Sequence, residues 1–172
     1  LTRYARILDR LRQNLPMTRP LLLLDIDGVL NPYGTPDPPA GFTEHHLFPD
    51  EEPVRVNPTH GIWITTASDV LDIAWASSWN DDANRLLAPL LNIAPLPVVT
   101  MPPPPFDPSQ KVPLIATYAR ERPTAWIDDV HPPHAHKWAA NRAVPTLLVT
   151  ADPAIGLTRE AINDVIAWAA AL

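Results

Sequence analysis

The chain contains no cysteine in its 172 residues. Disulfides and thiolate-ligated zinc are therefore excluded, and the composition is compatible with a reducing, cytoplasmic setting. No segment approaches the roughly 18 apolar residues needed to span a bilayer, so no membrane partner is expected. Charges interrupt every apolar stretch near the N-terminus, which does not read as a signal peptide. Because the chain opens on Leu1 rather than Met, some start residues are expected to be missing. Positive charge is not in excess: 13 Lys and Arg stand against 19 Asp and Glu, a net charge of −6. That balance gives no support to a broad nucleic-acid footprint, although it leaves room for a local patch. Internal repeats are absent. The length suits one well-buried domain and is short for two. With 46% hydrophobic and 19% charged residues, the chain should fold rather than remain disordered.

Proline, by contrast, is abundant, at 23 residues. Most fall in 31–58 and 95–113. Proline lacks a backbone donor and fixes φ, so 31–58 reads as a flap or insert and 95–110 as a loop, neither a separate domain. Leu1, Tyr4, Ile7, Leu8, Leu11 and Leu15 recur at helical spacing, predicting an amphipathic helix over 1–15 with Arg3, Arg6, Arg10 and Arg12 mostly off its apolar face. Strands are predicted over 21–26, 71–76, 97–100, 124–127 and 146–150, with a short hairpin near 54–56. Helices are predicted over 59–68, from an Asn80 N-cap to Leu91, over 111–122 capped by Ser109, and after a Thr158 cap. The last carries Ile162, Val165, Ile166 and Ala169 on its apolar face. Short apolar strands alternating with helices predict an α/β fold: a three-layer, Rossmann-like parallel sheet with helices on both faces and no large cap domain. Ligands of such sheets bind beyond the carboxyl ends of the strands.

The run Leu21-Leu22-Leu23-Leu24-Asp25-Ile26-Asp27-Gly28 is the most informative segment. A buried strand ends in two carboxylates at i and i+2, which a strand end can project together. Carboxylates at close range repel unless a cation, a proton or another partner compensates. The segment is thus a candidate metal and catalytic site, although Asp-Gly after an apolar run is also an ordinary turn signal. Two further polar groups fall at predicted strand ends: Ser77-Ser78 and Asp128-Asp129. Lys111 opens a helix that can reach the same edge. Plainer readings remain for each: Ser77 as a strand end, Lys111 as a surface lysine, Asp128-Asp129 as a cap. A cation in the first turn of a helix opposes the macrodipole, which favours a functional reason for Lys111.

His131, His134 and His136 follow the acidic pair. Pro132-Pro133 reads as a loop and no fourth ligand is evident, so solvated histidines or a substrate contact are preferred over zinc. His45-His46 in the insert are read the same way. Trp75 and Trp79 are expected to pack near the second strand, with base stacking by Trp79 an unsupported option.

In these motifs the chain resembles the haloacid dehalogenase (HAD) superfamily over about residues 21–150. The resemblance rests on Asp25-Ile26-Asp27-Gly28, the hydroxyl of Ser77 with Ser78 as the alternative, Lys111, and Asp128-Asp129 within Trp126-Ile127-Asp128-Asp129, in that order. Trp75-Ala76-Ser77-Ser78-Trp79 followed by Asp82-Ala83-Asn84 is similar to a small bacterial subgroup, some of it placed beside RNA-repair domains. That likeness implies substrate only by association.

The resemblance implies a Mg²⁺-dependent phosphatase. Asp25 would be the nucleophile, forming an aspartyl-phosphate, and Asp27 the general acid and base. Mg²⁺ would be held by Asp25, the backbone carbonyl of Asp27, and Asp128 or Asp129. Ser77 and Lys111 would engage the phosphoryl group, with Ser78 and Gly28 joining them in substrate binding. The implied partner is a phosphorylated substrate. A bulky one such as a nucleic-acid end fits an uncapped site but gains nothing from the net charge. The chain is expected to be a monomer or weak dimer. A non-catalytic phosphate-binding or interaction module, and a phosphotransferase of the same fold, are the competing readings.

Overall fold

The structure, a computed structural model, describes residues 19–172. The helix predicted over 1–15 lies outside them. Four parallel strands form the main sheet in the order β4-β1-β5-β6. They are β1 (Leu21–Leu24), β4 (Asp72–Trp75), β5 (Thr124–Asp128) and β6 (Thr146–Thr150). A separate antiparallel hairpin joins β2 (Thr43–His45) and β3 (Val54–Val56).

The leucine run makes sense once β1 is seen between β4 and β5. Its side chains alternate between two faces, and both faces are covered. Leu22 and Leu24 pack with Ile73, Trp75, Ala125 and Ile127 under α1 (Thr59–Ala67), α2 (Ala88–Leu91) and α5 (Arg159–Ala170). Leu21 and Leu23 pack with Ala74 and Trp126 under α3 (Lys111–Ala119) and α4 (Pro133–Asn141). A strand buried on both faces needs continuous rather than alternating apolarity. Each buried leucine contributes about 1.5–3 kcal/mol relative to exposure. The registers Leu24↔Trp75 and Leu24↔Ile127 bring the carboxyl ends of β4, β1 and β5 level with one another.

Several local expectations are corrected. The strand predicted over 97–100 is reduced to one bridge, Trp75↔Val98, flanked by hydrogen bonds from Trp75 N to Pro97 O and from Val99 N to Trp75 O. Pro95 and Pro97 have no donors with which to extend that ladder. Asn80 is not an N-cap. It takes φ 47° and straps the 95–110 loop, its amide exchanging hydrogen bonds with the backbone of Met101 at 2.7 and 3.1 Å. The following helix is π-helical over Ala83–Leu87 before α2 begins. Pro89 cannot donate to the carbonyl four residues back, and the helical register loosens just ahead of it.

Asp107, not Ser109, is the capping residue near α3. Its carboxylate accepts from Ser109 N and it forms a capping box with Gln110 in the turn Pro108–Gln110. The helix α3 stops at Ala119 instead of running to residue 122, because Arg120 enters the left-handed region at φ 48°. Pro132-Pro133 begins α4 rather than a loop, since proline at the first helical position sacrifices only a donor the helix does not use. The Thr158 cap is present, its hydroxyl accepting from Ala161 N at 3.1 Å.

The insert folds back as a flap with the hairpin β2–β3 at its centre. Arg55 stitches it together: its guanidinium donates to Thr35 Oγ1, Thr35 O and Pro36 O and pairs with Glu44. Beneath it, His60 on α1 is buried against Phe42 and Trp63. Its Nε2 lies 3.2 Å from the Leu157 carbonyl, while Nδ1 has no partner. Burial pushes this imidazole down to about 4. The unfolded chain takes up its proton near pH 6.5, a proton the folded chain refuses until about pH 4. The contribution of neutral His60 is therefore complete above that range and is lost as pH falls, at about 1.4 kcal/mol per pH unit. Comparing the thermal unfolding of the unaltered protein with that of His60→Phe isolates this contribution from the other titrating groups: between about pH 7 and pH 4 the difference should move in favour of the variant as pH falls. A difference that does not change with pH would contradict the assignment.

Candidate active site

The sheet edge carries a buried cluster of opposite charges. Asp25 is the first residue beyond β1, its N–H bonded to Ile127 O at 3.0 Å. Asp128 is the last residue of β5 and Lys111 the first of α3. The Lys111 Nζ donates to Asp25 Oδ2 and to Asp128 Oδ2, both at 2.8 Å. All three residues are buried. Trp126 and Asp128 share a face of β5, and the indole N–H donates to the same Asp128 oxygen at 3.1 Å. The other oxygen, Oδ1, accepts from Val130 N.

Asp129 completes the group. One oxygen each from Asp25, Asp128 and Asp129 lie within 4.8 Å of one another, the one such metal-competent cluster among the described residues. Gly28 makes this possible. It has φ 75°, and a Cβ there would sit 2.5 Å from the Asp129 carboxylate. From the flap, Tyr33 Oη donates to Asp129 Oδ2 at 2.5 Å.

Three carboxylates share one ammonium, and the charges show it. Burial, and then the Asp128 carboxylate, push Asp25 up to about 8 despite the pull of Lys111. Burial also raises Asp129, against the hydrogen bond from Tyr33. Burial alone would lower the Lys111 ammonium, but Asp25 and Asp128 outweigh it and hold its pKa up. The cluster is short of positive charge. A hard divalent cation, which favours carboxylate oxygens, matches this donor set.

Asp27 stands apart. Its carboxylate does not join the cluster. Its Oδ1 accepts from Asn31 Nδ2 at 2.9 Å and its Oδ2 from Trp79 Nε1 at 3.0 Å. Asn31 is itself fixed by Arg55 N at 2.9 Å. Ser77, two residues past β4, is buried at the same edge, and Trp79 N approaches its Oγ at 3.4 Å. Ser78 is half-buried and presents its carbonyl to Asn80.

The histidines do not assemble a ligand set. His131 Nδ1 pairs with Thr150 Oγ1 at 2.9 Å, and its ring meets Trp126 edge-on. His134 and His136 lie on α4.

Sequence reasoning missed the hydrogen-bonding roles of Asn31, Tyr33, Trp79 and Trp126. Two had a local signal: Asn31 lies at i+4 from Asp27, and Trp126 at i−2 from Asp128 on a strand. Tyr33 had none, since its partner is 96 positions away.

A parallel α/β sheet that delivers acids from β1 and β5, a hydroxyl from β4 and a helix-borne lysine to one edge defines the HAD-like class of hydrolases. Residues 21–162 match the family described as the HAD domain in Swiss Army Knife RNA repair proteins, and the chain belongs to it. Membership points to HAD-type phosphoesterase-like chemistry in general. No curated protein matches the chain. No helix among the described residues is long and apolar enough to cross a membrane.

Removing the shared cation should be costly. Lys111→Met leaves Asp25 and Asp128 buried without their partner, and denaturant unfolding above about pH 8, where Asp25 carries its charge, should show a loss of about 3–5 kcal/mol. The deficit should shrink below that pH, where Asp25 holds its proton. A loss below about 1 kcal/mol even above about pH 8 would place the ion pairs among weak surface contacts.

Proposed function

We propose that this protein is a Mg²⁺-dependent phosphatase that hydrolyses phosphoric monoesters through an aspartyl-phosphate on Asp25. The observation that carries the proposal is the Lys111 ammonium bridging Asp25 and Asp128, with Asp129 gathered beside them at the sheet edge. Uncatalysed monoester hydrolysis is extremely slow, so positioning and charge stabilisation must supply most of the acceleration.

Asp25, Asp128 and Asp129 would hold Mg²⁺, with the Asp27 carbonyl. The bound ion shields the Asp25 carboxylate from an anionic substrate and stabilises charge on the phosphoryl oxygens. An Asp25 oxygen attacks phosphorus in line. The bond from phosphorus to the leaving oxygen breaks as the new bond forms, and Asp27 gives that oxygen its proton. Asp27 then removes a proton from water. The water oxygen attacks phosphorus, the bond to Asp25 breaks, and phosphate leaves with the Asp25 carboxylate restored. Lys111 offsets charge on nucleophile and phosphoryl group together. The Ser77 hydroxyl donates to a phosphoryl oxygen. Asn31 and Trp79 hold Asp27 away from the lysine, free to exchange its proton with the leaving group. The flap is a hairpin rather than a folded cap, which leaves room for bulky monoesters.

Phosphate release should be measured over aryl phosphates, nucleotides, sugar phosphates and end-phosphorylated oligonucleotides. Release should require Mg²⁺ and vanish in Asp25→Asn. Release that survives in that variant would contradict the nucleophile, and no release from folded, Mg²⁺-saturated protein would favour a non-catalytic binding module. Proton linkage offers a second check. Asp25 must lose its proton to take the ion, so Mg²⁺ affinity should climb with pH up to about 8, with protons released on binding. Calorimetry in buffers of differing ionisation enthalpy measures both; pH-independent affinity would contradict Asp25 as a ligand.

A further inference from the structure

A cavity of about 350 Å³ opens beside Asp27, between the flap and the turn after β4. Its aromatic walls are Tyr33, Phe48 and Trp79, the last two meeting edge to face at 4.9 Å. Asp27 is part of its lining, its carboxylate held by Asn31 and Trp79. In the proposed chemistry Asp27 protonates the leaving oxygen, so the cavity beside it is where the departing alcohol sits.

The charge of that cavity is one-sided. Besides Asp27, its lining includes Glu44, Glu51 and Glu52. Among the described residues, Arg55 is the one cationic side chain in the lining, and it is not free for an anion. Its Nε faces Glu44 at 3.3 Å, Nη1 donates to Thr35 Oγ1 at 3.1 Å, and Nη2 donates to the carbonyls of Thr35 and Pro36 at 2.9 and 3.0 Å. With Glu44 answered by Arg55, Asp27, Glu51 and Glu52 remain without a cation in the lining. Lys111 is committed to Asp25 and Asp128. A phosphoryl group therefore meets a cation at the sheet edge, while the alcohol attached to it meets carboxylates and aromatic faces.

We infer that this cavity selects phosphoric monoesters whose alcohol carries no negative charge, a neutral or cationic hydroxyl compound. The inference rests on the phosphatase reading. Carboxylates accept hydrogen bonds from hydroxyl and ammonium donors, aromatic faces attract cations, and an anionic alcohol meets like charge with no uncommitted cation to offset it among the described lining residues. A phosphorylated nucleic-acid end is disfavoured on the same ground, because its leaving group carries further phosphates.

Three small primary monoesters form a charge series: O-phosphoethanolamine, glycerol 3-phosphate and 3-phosphoglycerate, whose alcohols are cationic, neutral and anionic. Measured as kcat/KM, the order should follow that sequence, with the glycerate ester at least roughly tenfold below the glycerol ester. The double variant Glu51→Gln/Glu52→Gln, at two exposed positions, should shrink that ratio to about threefold or less, and added salt should shrink it in the unaltered protein. Equal turnover of the glycerate and glycerol esters would overturn the inference, as would a ratio unmoved by the double variant. A 5′-phosphorylated oligonucleotide outpacing the matching nucleoside monophosphate would do the same. An aryl phosphate separates the two levels. If it is hydrolysed, and Asp25→Asn abolishes that, a missing charge series removes only the cavity inference. If nothing is hydrolysed, both fall.

Discussion

The Lys111 ammonium, buried between Asp25 and Asp128, is the interaction on which the rest of this structure depends. Two carboxylates of like charge could not otherwise occupy adjacent strand ends in a dry setting. The ion pairs are strong because they are buried. They are buried because β1 is leucine on both faces and because Trp126 closes one side and donates to Asp128. Packing thus comes first and electrostatics follows from it. One ammonium does not satisfy three carboxylates, however. Burial first, and the Asp128 carboxylate after it, raise the pKa of Asp25 beyond what the single ammonium offsets, and that imbalance makes the edge receptive to a cation.

The two acids of the Asp-x-Asp motif are kept in separate environments. Asp25 is turned inward to the lysine, and Asp27 outward to Asn31 and Trp79. Separate partners allow separate roles, one group attacking while the other moves a proton. The flap supports both sides of this division. Asn31 fixes Asp27, Tyr33 reaches Asp129, and Arg55 secures the flap on which both depend. Its prolines restrict the unfolded chain and lower the entropic cost of holding such a loop in one shape.

Much of this was legible in the residues. The apolar run is what a strand buried on both faces requires, and Asp25, Ser77 and Asp128 are visible as polar groups at the ends of apolar strands; their order together with Lys111 is legible only through the resemblance to the HAD superfamily. What escaped had physical reasons. The segment 97–100 has strand-like side chains, but its prolines cannot sustain a ladder. Asn80 offers cap chemistry, but a left-handed backbone commits its amide to Met101 instead. Pro132-Pro133 resembles a break and is in fact a helix start. The contact of Tyr33 with Asp129, and the use of Arg55 as a flap tie rather than an anion receptor, depend on tertiary placement that no local pattern encodes.

The central claim is that Asp25 accepts the phosphoryl group. Rapid acid quench during turnover, borohydride reduction and peptide mass spectrometry test it most directly. An acyl phosphate on Asp25 is reduced to homoserine, whereas a free carboxylate is not. The account predicts homoserine at position 25 alone, dependent on both substrate and Mg²⁺. Phosphate release with Asp25 unmodified throughout, or an adduct on another residue, would contradict it.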